Sequence, residues 1–257
     1  MVPLGWRLSA EQWDLLTEVL QLERYPAPIE VRSHGRTAAE RARIQTDVSE
    51  QLRRLGLMRA GRVDAELEAA MRLLHRPASW LDSVWLAGPA ADQPIRVLAA
   101  RGGTVAVCAL QDPDQAGATL LDVIPVAGMA AAMVSRLPSH PPGRSPAVTI
   151  AVASPDRPAR GGGVLVSPVR TSSERESAAV SAILDQPHAR AGQIAANIRD
   201  CGRVHRSQVL RWCDNPDGRY QITVTAHRDA PRSLTVTPCG PDLLIEAVQH
   251  LLDTLDR

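Results

Sequence analysis

The sequence predicts an α+β protein with a quasi-two-fold central antiparallel β-sheet flanked by helical bundles. Three observations lead there. Residues 204–238 read as a three-strand antiparallel meander that hands over to a closing helix. From Trp80 the apolar period changes from helical to two, and four strand patterns follow. The capping box Thr37-Ala-Ala-Glu-Arg41 returns as Thr171-Ser-Ser-Glu-Arg175, ahead of a second set of helices and strands.

Taken in order, Ser9-Ala-Glu-Gln12 opens a first helix, with Trp13, Leu16 and Leu20 on its inner face. Ile29-Glu-Val31 fits a short strand. Thr37 caps a second helix carrying Ile44, Val48, Leu52 and Leu55, which Gly56 ends. Asp64 opens a third with Leu67, Met71 and Leu74 inward. Residues 80–86, 95–99, 104–110 and 119–124 are the four strands, punctuated by Gly88-Pro89, Gly102-Gly103 and Asp112-Pro113. Val126 to Leu137 reads as a small-residue helix.

Residues 138–163, rich in Pro and Gly, are the linker expected between halves 1–140 and 141–257, with a strand at 147–153 and a loop tip at 154–163. The second half should then run as two helices, the later one carrying Ile194 and Ile198, before the meander. Tyr220, Ile222 and Val224 alternate with Gln221, Thr223 and Thr225, so one sheet face is dry and the other threonine-rich. Pro241 and Asp242 suit the first turn of a final leucine-striped helix.

Composition removes whole classes of function. The 257 residues carry a net charge of +1 and 44% hydrophobic residues, enough for a core. That balance argues against a dedicated nucleic-acid or membrane-surface role. Every basic side chain other than His is Arg. Without Lys there is no P-loop, Schiff-base or kinase lysine. The seven His form no metal-binding spacing, and no G-x-S-x-G elbow exists. Cys108, Cys201, Cys213 and Cys239 show no C-x-x-C, so reduced, structural thiols are expected. Cys239 sits before a helix start, which lowers a thiol's pKa, yet it lacks a nearby His and reads as packing. The N-terminus lacks a signal-peptide core and no apolar run is long enough to span a membrane, so a soluble, cytoplasmic, non-enzymatic protein without cofactor is expected.

What stands out is tryptophan. Trp80 and Trp85 fall on opposite faces of one strand, beside the turn-prone connector Gly88-Pro-Ala-Ala-Asp-Gln-Pro94. Two readings stay open: one indole is an exposed anchor for a partner, or both are buried between sheet and helix layers. On the first reading the partner surface comprises Trp85, Gly88, Pro89, Asp92, Gln93, Arg96, Thr223 and Thr225.

Short motifs in order along nearly the whole chain resemble the EspG family. They are Leu8-Ser-Ala-Glu-Gln12, Tyr25-Pro26, Leu52 to Leu57, Trp80-Leu-Asp82, Asp217-Gly-Arg-Tyr220, Val236-Thr-Pro238 and the closing leucine helix. None is catalytic. The resemblance implies a cytosolic chaperone that binds the helical tip of the PPE subunit in a PE–PPE heterodimer. It would deliver that substrate to an actinobacterial type VII (ESX) secretion system. The chain departs from the family in being short and lacking Phe. Because a fold does not fix a function, a small-molecule-binding or enzymatic α+β domain without a recognisable motif is the alternative.

Overall fold

In a computed structural model, residues 5–22, 26–31, 34–115, 117–152, 170–225 and 232–256 are described. The first half comprises β1 (Gly5–Leu8), α1 (Ala10–Val19), α2 (Ala38–Arg54), β2 (Met58–Arg59), β3 (Arg62–Val63), α3 (Ala65–His75), β4 (Ser79–Leu86), β5 (Ile95–Gly102), β6 (Val105–Gln111), β7 (Thr119–Ile124) and α4 (Met129–Ser135). The second comprises β8 (Val148–Val152), α5 (Arg170–Leu184), β9 (Arg190–Asp200), β10 (Arg203–Arg206), β11 (Leu210–Asn215), β12 (Gly218–Thr225), β13 (Arg232–Pro238) and α6 (Pro241–Asp253). The expected loop tip at 154–163 lies outside the described residues.

The helix starts form as their caps dictate. Ser9 and Thr37 each accept from the amide three residues on, and Gln12 and Glu40 return the bond to the cap amide. The Asp64 carboxylate accepts from Glu66 and Leu67. Thr171, by contrast, is the second residue of α5 and not its cap. The helix expected over Ile194 and Ile198 is instead β9, and no strand forms at 29–31. Among the described residues the second half therefore offers one helix, not two, before its main strands.

One antiparallel sheet crosses the whole molecule in the order β1-β7-β6-β5-β4-β9-β11-β12-β13-β8, with β10 paired to β9 alone. The central pair is β4 and β9, in register from Ser79 opposite Ile198 to Leu86 opposite Ala191. Outward from it β5, β6 and β7 follow in chain order on one side and β11, β12 and β13 on the other, while β1 and β8 form the two ends of the order.

Two faces of this sheet are covered differently. On one, α4 and α6 pack on each other and over the middle of the sheet. They enclose Leu81, Trp85, Val97, Ile194, Leu210 and Trp212 with Met129, Met133, Leu244 and Val248. On the other, α1 and α3 cover β5, β6 and β7 through Trp13, Leu16, Leu67, Met71, Leu98 and Leu121. There α5 covers the far end through Val180 and Ile183, against Cys213, Tyr220 and Val236.

The expected linker is pinned at its first part. The Arg219 guanidinium donates to the Pro138 carbonyl (2.7 Å), the Arg219 amide to Pro141 (2.8 Å), and the Gly143 amide returns to the Arg219 carbonyl (3.0 Å). Ser145 donates to Asp217 and Tyr220, and the Tyr220 hydroxyl donates to Asp217. Gly143 lies against the Tyr220 ring so closely that any Cβ would enter it. Residues 138–145 are thus a strap tied across the β11–β12 hairpin.

Candidate partner-binding surface

Side chains alternate along β4, so Leu81, Ser83 and Trp85 face α4 and α6 while Trp80, Asp82, Val84 and Leu86 face the other way. Cross-strand register extends this second face. Arg96, Val84, Gln193 and Arg211 lie side by side across β5, β4, β9 and β11. Among the described residues this row has α3 to one side and α5 to the other, with no helix packed over its centre. Leu86 is 42% exposed, and Gln193 and Arg211 are exposed. The result is an open trough in the middle of the sheet, apolar at Val84 and Leu86 and polar beyond.

Further along the trough the floor is closed by charge. Arg206 grips Asp82 with both terminal nitrogens (2.6 and 2.9 Å), and Asn197 donates to the same carboxylate (2.7 Å). This two-point contact holds β10 against β4 across β9. The Arg199 guanidinium stacks 5.7 Å above the half-buried Trp80 ring. Arg96 is also engaged, donating to Glu30 (2.8 Å) and to the Pro94 carbonyl (3.1 Å), which fixes one root of the 88–94 connector. Within that connector the Ala91 amide donates to Gly88, and Asp92 and Gln93 are exposed.

The expected site residues do not form one surface. Trp85 is only 5% exposed. Its ring lies 5.9 Å from that of Trp212, beside Gly192, where an added Cβ would strike the Trp85 Cβ and crowd the Trp212 indole nitrogen. It is core, because α4 and α6 cover the face to which it points. The second reading holds for Trp85, whereas Trp80 is half-buried at the margin of the α1 and α3 core. Gly88, Pro89, Asp92 and Gln93 stand at one end of the trough, and Arg96 is on its floor. Thr223 and Thr225 face the α4 and α6 side, since Ile222 shares the face of Arg211. Sequence reasoning missed Leu86, Gln193 and Arg211. Only Leu86 carried a signal, as an apolar residue next to the connector.

The thiols behave as buried groups. Burial pushes Cys213 up to about 11, helped by Asp214, and Cys239 up to about 12, opposed by Arg219. Cys239 is fully buried, so the helix start beside it does not yield a reactive thiolate. Cys201 is exposed. At about pH 8 a thiol reagent should modify Cys201 alone in the native protein and all four Cys once it is unfolded. Rapid native labelling of Cys213 or Cys239 would contradict this packing. The same shifts fix a sign. Above the ordinary thiol range the unfolded chain loses protons that the native state keeps, so stability falls as pH rises toward about 11. Among the described residues no three His, Cys, Asp or Glu gather as a metal site. None of their helices is long and apolar enough to cross a membrane.

Fold and surface together define an α+β protein whose distinguishing feature is a partly uncovered sheet face between two helical layers. Comparison with known proteins gives this class a family. The EspG family model matches residues 9–250, and the chain belongs to the EspG family. It is 26% identical over 265 residues to the ESX-3 secretion-associated protein EspG3 of Mycolicibacterium smegmatis, covering 99% of this chain and 88% of that protein. Its fold matches that of the Mycobacterium tuberculosis type VII secretion system chaperone EspG5, solved in complex with a PE25–PPE41 dimer. That match has a TM-score of 0.70 and 19% identity, over 98% of this chain and 96% of the other.

Proposed function

We propose that this protein is a cytoplasmic, non-enzymatic chaperone of type VII secretion that binds PE–PPE-type substrates through the PPE subunit. The observation that carries the reading is family membership over nearly the whole chain, joined to a fold like that of a chaperone solved with such a dimer. The trough is our docking site for the helical tip of the substrate. Val84 and Leu86 supply apolar contact, Gln193 and Arg211 polar contact, and Gly88, Pro89, Asp92 and Gln93 a rim. Arg96 holds that rim in place, Trp85 supports the floor from beneath, and Thr223 and Thr225 lie on the reverse face. An apolar centre with a polar border is the anatomy of a protein interface.

The strand order favours the same picture of a quasi-two-fold molecule. β4, β5, β6 and β7 on one side answer β9, β11, β12 and β13 on the other, with α4 and α6 closing each set. The halves 1–140 and 141–257 then meet at the β4–β9 pair as one compact unit. In this arrangement α5 corresponds to α3, not to α2.

Co-expression with PE–PPE pairs tests the proposal. A stable heterotrimer should co-purify with the wild-type chain. Leu86→Asp should weaken capture by roughly tenfold or more, because it sets an unpaired carboxylate in the apolar part of the interface. Circular dichroism should show the variant folded, since Leu86 is already exposed. Full capture by the folded variant would move the interface off the trough. Failure of every pair to associate, with thermal shifts from small ligands, would overturn the chaperone reading.

A further inference from the structure

The short hairpin between α2 and α3 is built at two local costs. Its strands β2 and β3 set Met58 opposite Val63, both buried, and Arg59 opposite Arg62, both exposed. Like charges directly across a ladder repel. The turn between them has positive φ at both residues, 46° at Ala60 and 76° at Gly61, and Ala60 brings a Cβ into the left-handed region. Nothing nearby offsets the repulsion. Among the described residues, no carboxylate lies within ion-pair distance of Arg54, Arg59 or Arg62. Glu50 pairs with Arg53, Glu68 with Arg72, and Asp64 caps α3.

The end of α2 brings two more arginines and an apolar residue to the same place. Beyond Leu55 the chain turns back at Gly56, whose amide donates to the Arg53 carbonyl (3.0 Å), while the Leu57 amide donates to Leu52 (2.9 Å). The Asp64 amide then donates to the Leu57 carbonyl (2.9 Å), so the hairpin's roots are held against that helix end. Leu52, Met58, Val63 and Leu67 are buried on the inner side. Arg53, Arg54, Leu55, Arg59 and Arg62 are all exposed, Leu55 at 58% more than any other large apolar side chain described. The dipole of α2 accounts for Arg53 and Arg54 in its last turn. It does not account for Arg59 and Arg62, nor for an exposed leucine among them.

We propose that this patch is a docking site for an acidic protein segment, which sets carboxylates on the four arginines and one apolar side chain on Leu55. Guanidinium groups suit carboxylates because each can donate to both oxygens. An apolar centre ringed by polar groups is the form of a small protein interface. The net charge of +1 favours such a segment over a membrane surface, and no aromatic side chain stands among these arginines to stack a base. The 11 residues of α3, roughly 16 Å of helix, lie between the hairpin and the start of β4. A partner held here therefore leaves the trough free.

Fluorescence anisotropy on the full chain tests this with a labelled synthetic peptide of aspartate and glutamate around one central leucine. The peptide should bind at low salt and bind less as salt rises. Its neutral analogue, with asparagine and glutamine in place of the acids, should not bind. The double variant Arg59→Gln, Arg62→Gln should weaken peptide binding by roughly tenfold or more. It should melt no earlier than the wild type, because it removes the repulsion across the hairpin. Leu55→Ser should also weaken binding, and its exposure predicts unchanged circular dichroism. Leu86→Asp should bind the peptide like the wild type, which separates this site from the trough. Undiminished binding by the double variant, or its early melting, would overturn the proposal. So would equal binding of the neutral analogue, or binding of anionic phospholipid vesicles or a single-stranded oligonucleotide but not of the peptide.

Discussion

Trp85→Ala is expected to destabilise the protein by about 3–5 kcal/mol, the usual cost of emptying a buried aromatic site. In a chain of this size that lowers the melting temperature by on the order of 10 °C. The indole packs beside Gly192 against Trp212, in the core that α4 and α6 cover. Trp85→Phe should recover part of the loss by retaining an aromatic ring there. Substrate capture should fall only in proportion to the unfolded fraction. A folded Trp85→Ala variant with unchanged melting and lost capture would make the ring an exposed anchor after all.

Arg219→Ala should cost a similar amount, about 3–5 kcal/mol, for a different reason. Arg219 is 2% exposed and Asp214 fully buried. Nε and one terminal nitrogen of Arg219 donate to the two Asp214 oxygens at 2.6 and 2.8 Å, and the guanidinium lies 4.8 Å over the Trp212 ring. Removing it leaves a buried carboxylate held by Arg190 alone at 3.3 Å and frees the Pro138 carbonyl. Arg219→Lys keeps the charge but loses the planar two-point grip, so it should rescue only part of the stability. Urea melts on these variants and on Arg219→Met with Asp214→Asn provide the measurement. The paired change should cost less than Arg219→Ala, since no fully buried carboxylate is left short of a partner and the remaining Arg190 is partly exposed. If Arg219→Ala melts like the wild type, the buried pair is not what holds the strap.

The helix starts of the first half, the strands β4 to β7 and the closing helix were legible because each is written locally. A cap, a period and a turn residue lie within a few positions of one another. The misreading at β9 has a physical origin. Ile194 to Asn197 are buried on both faces of a central strand, so the alternation that marks a strand is erased. What remains, Ile194 and Ile198 four apart with alanines between, matches a helix. The same two-sided cover defeated the assignment of Trp85. Strand alternation showed that one tryptophan points away from the other, but not that helices wait on both sides. The trough was hidden more deeply. Arg96, Val84, Gln193 and Arg211 become neighbours only through the register of strands far apart in the chain, and nothing local specifies which strands meet. By contrast, the Asp217-Gly-Arg-Tyr220 motif was visible before its role was. Arg219 and Tyr220 hold the strap.

The central strand pair also sets a timetable for synthesis. β4 is complete when Leu86 leaves the ribosome, but its partner begins only at Arg190. At about 5–20 residues per second, translating the intervening roughly 100 residues takes several seconds. Throughout that interval β5, β6 and β7 can assemble on one side of β4 while its other edge, bearing Val84 and Leu86, has no strand to meet. The last contributors to the strap, Arg219 and Tyr220, emerge later still. A nascent chain of this protein therefore carries an unfinished sheet edge at what becomes the middle of the molecule, and is exposed to mispairing until its second half arrives.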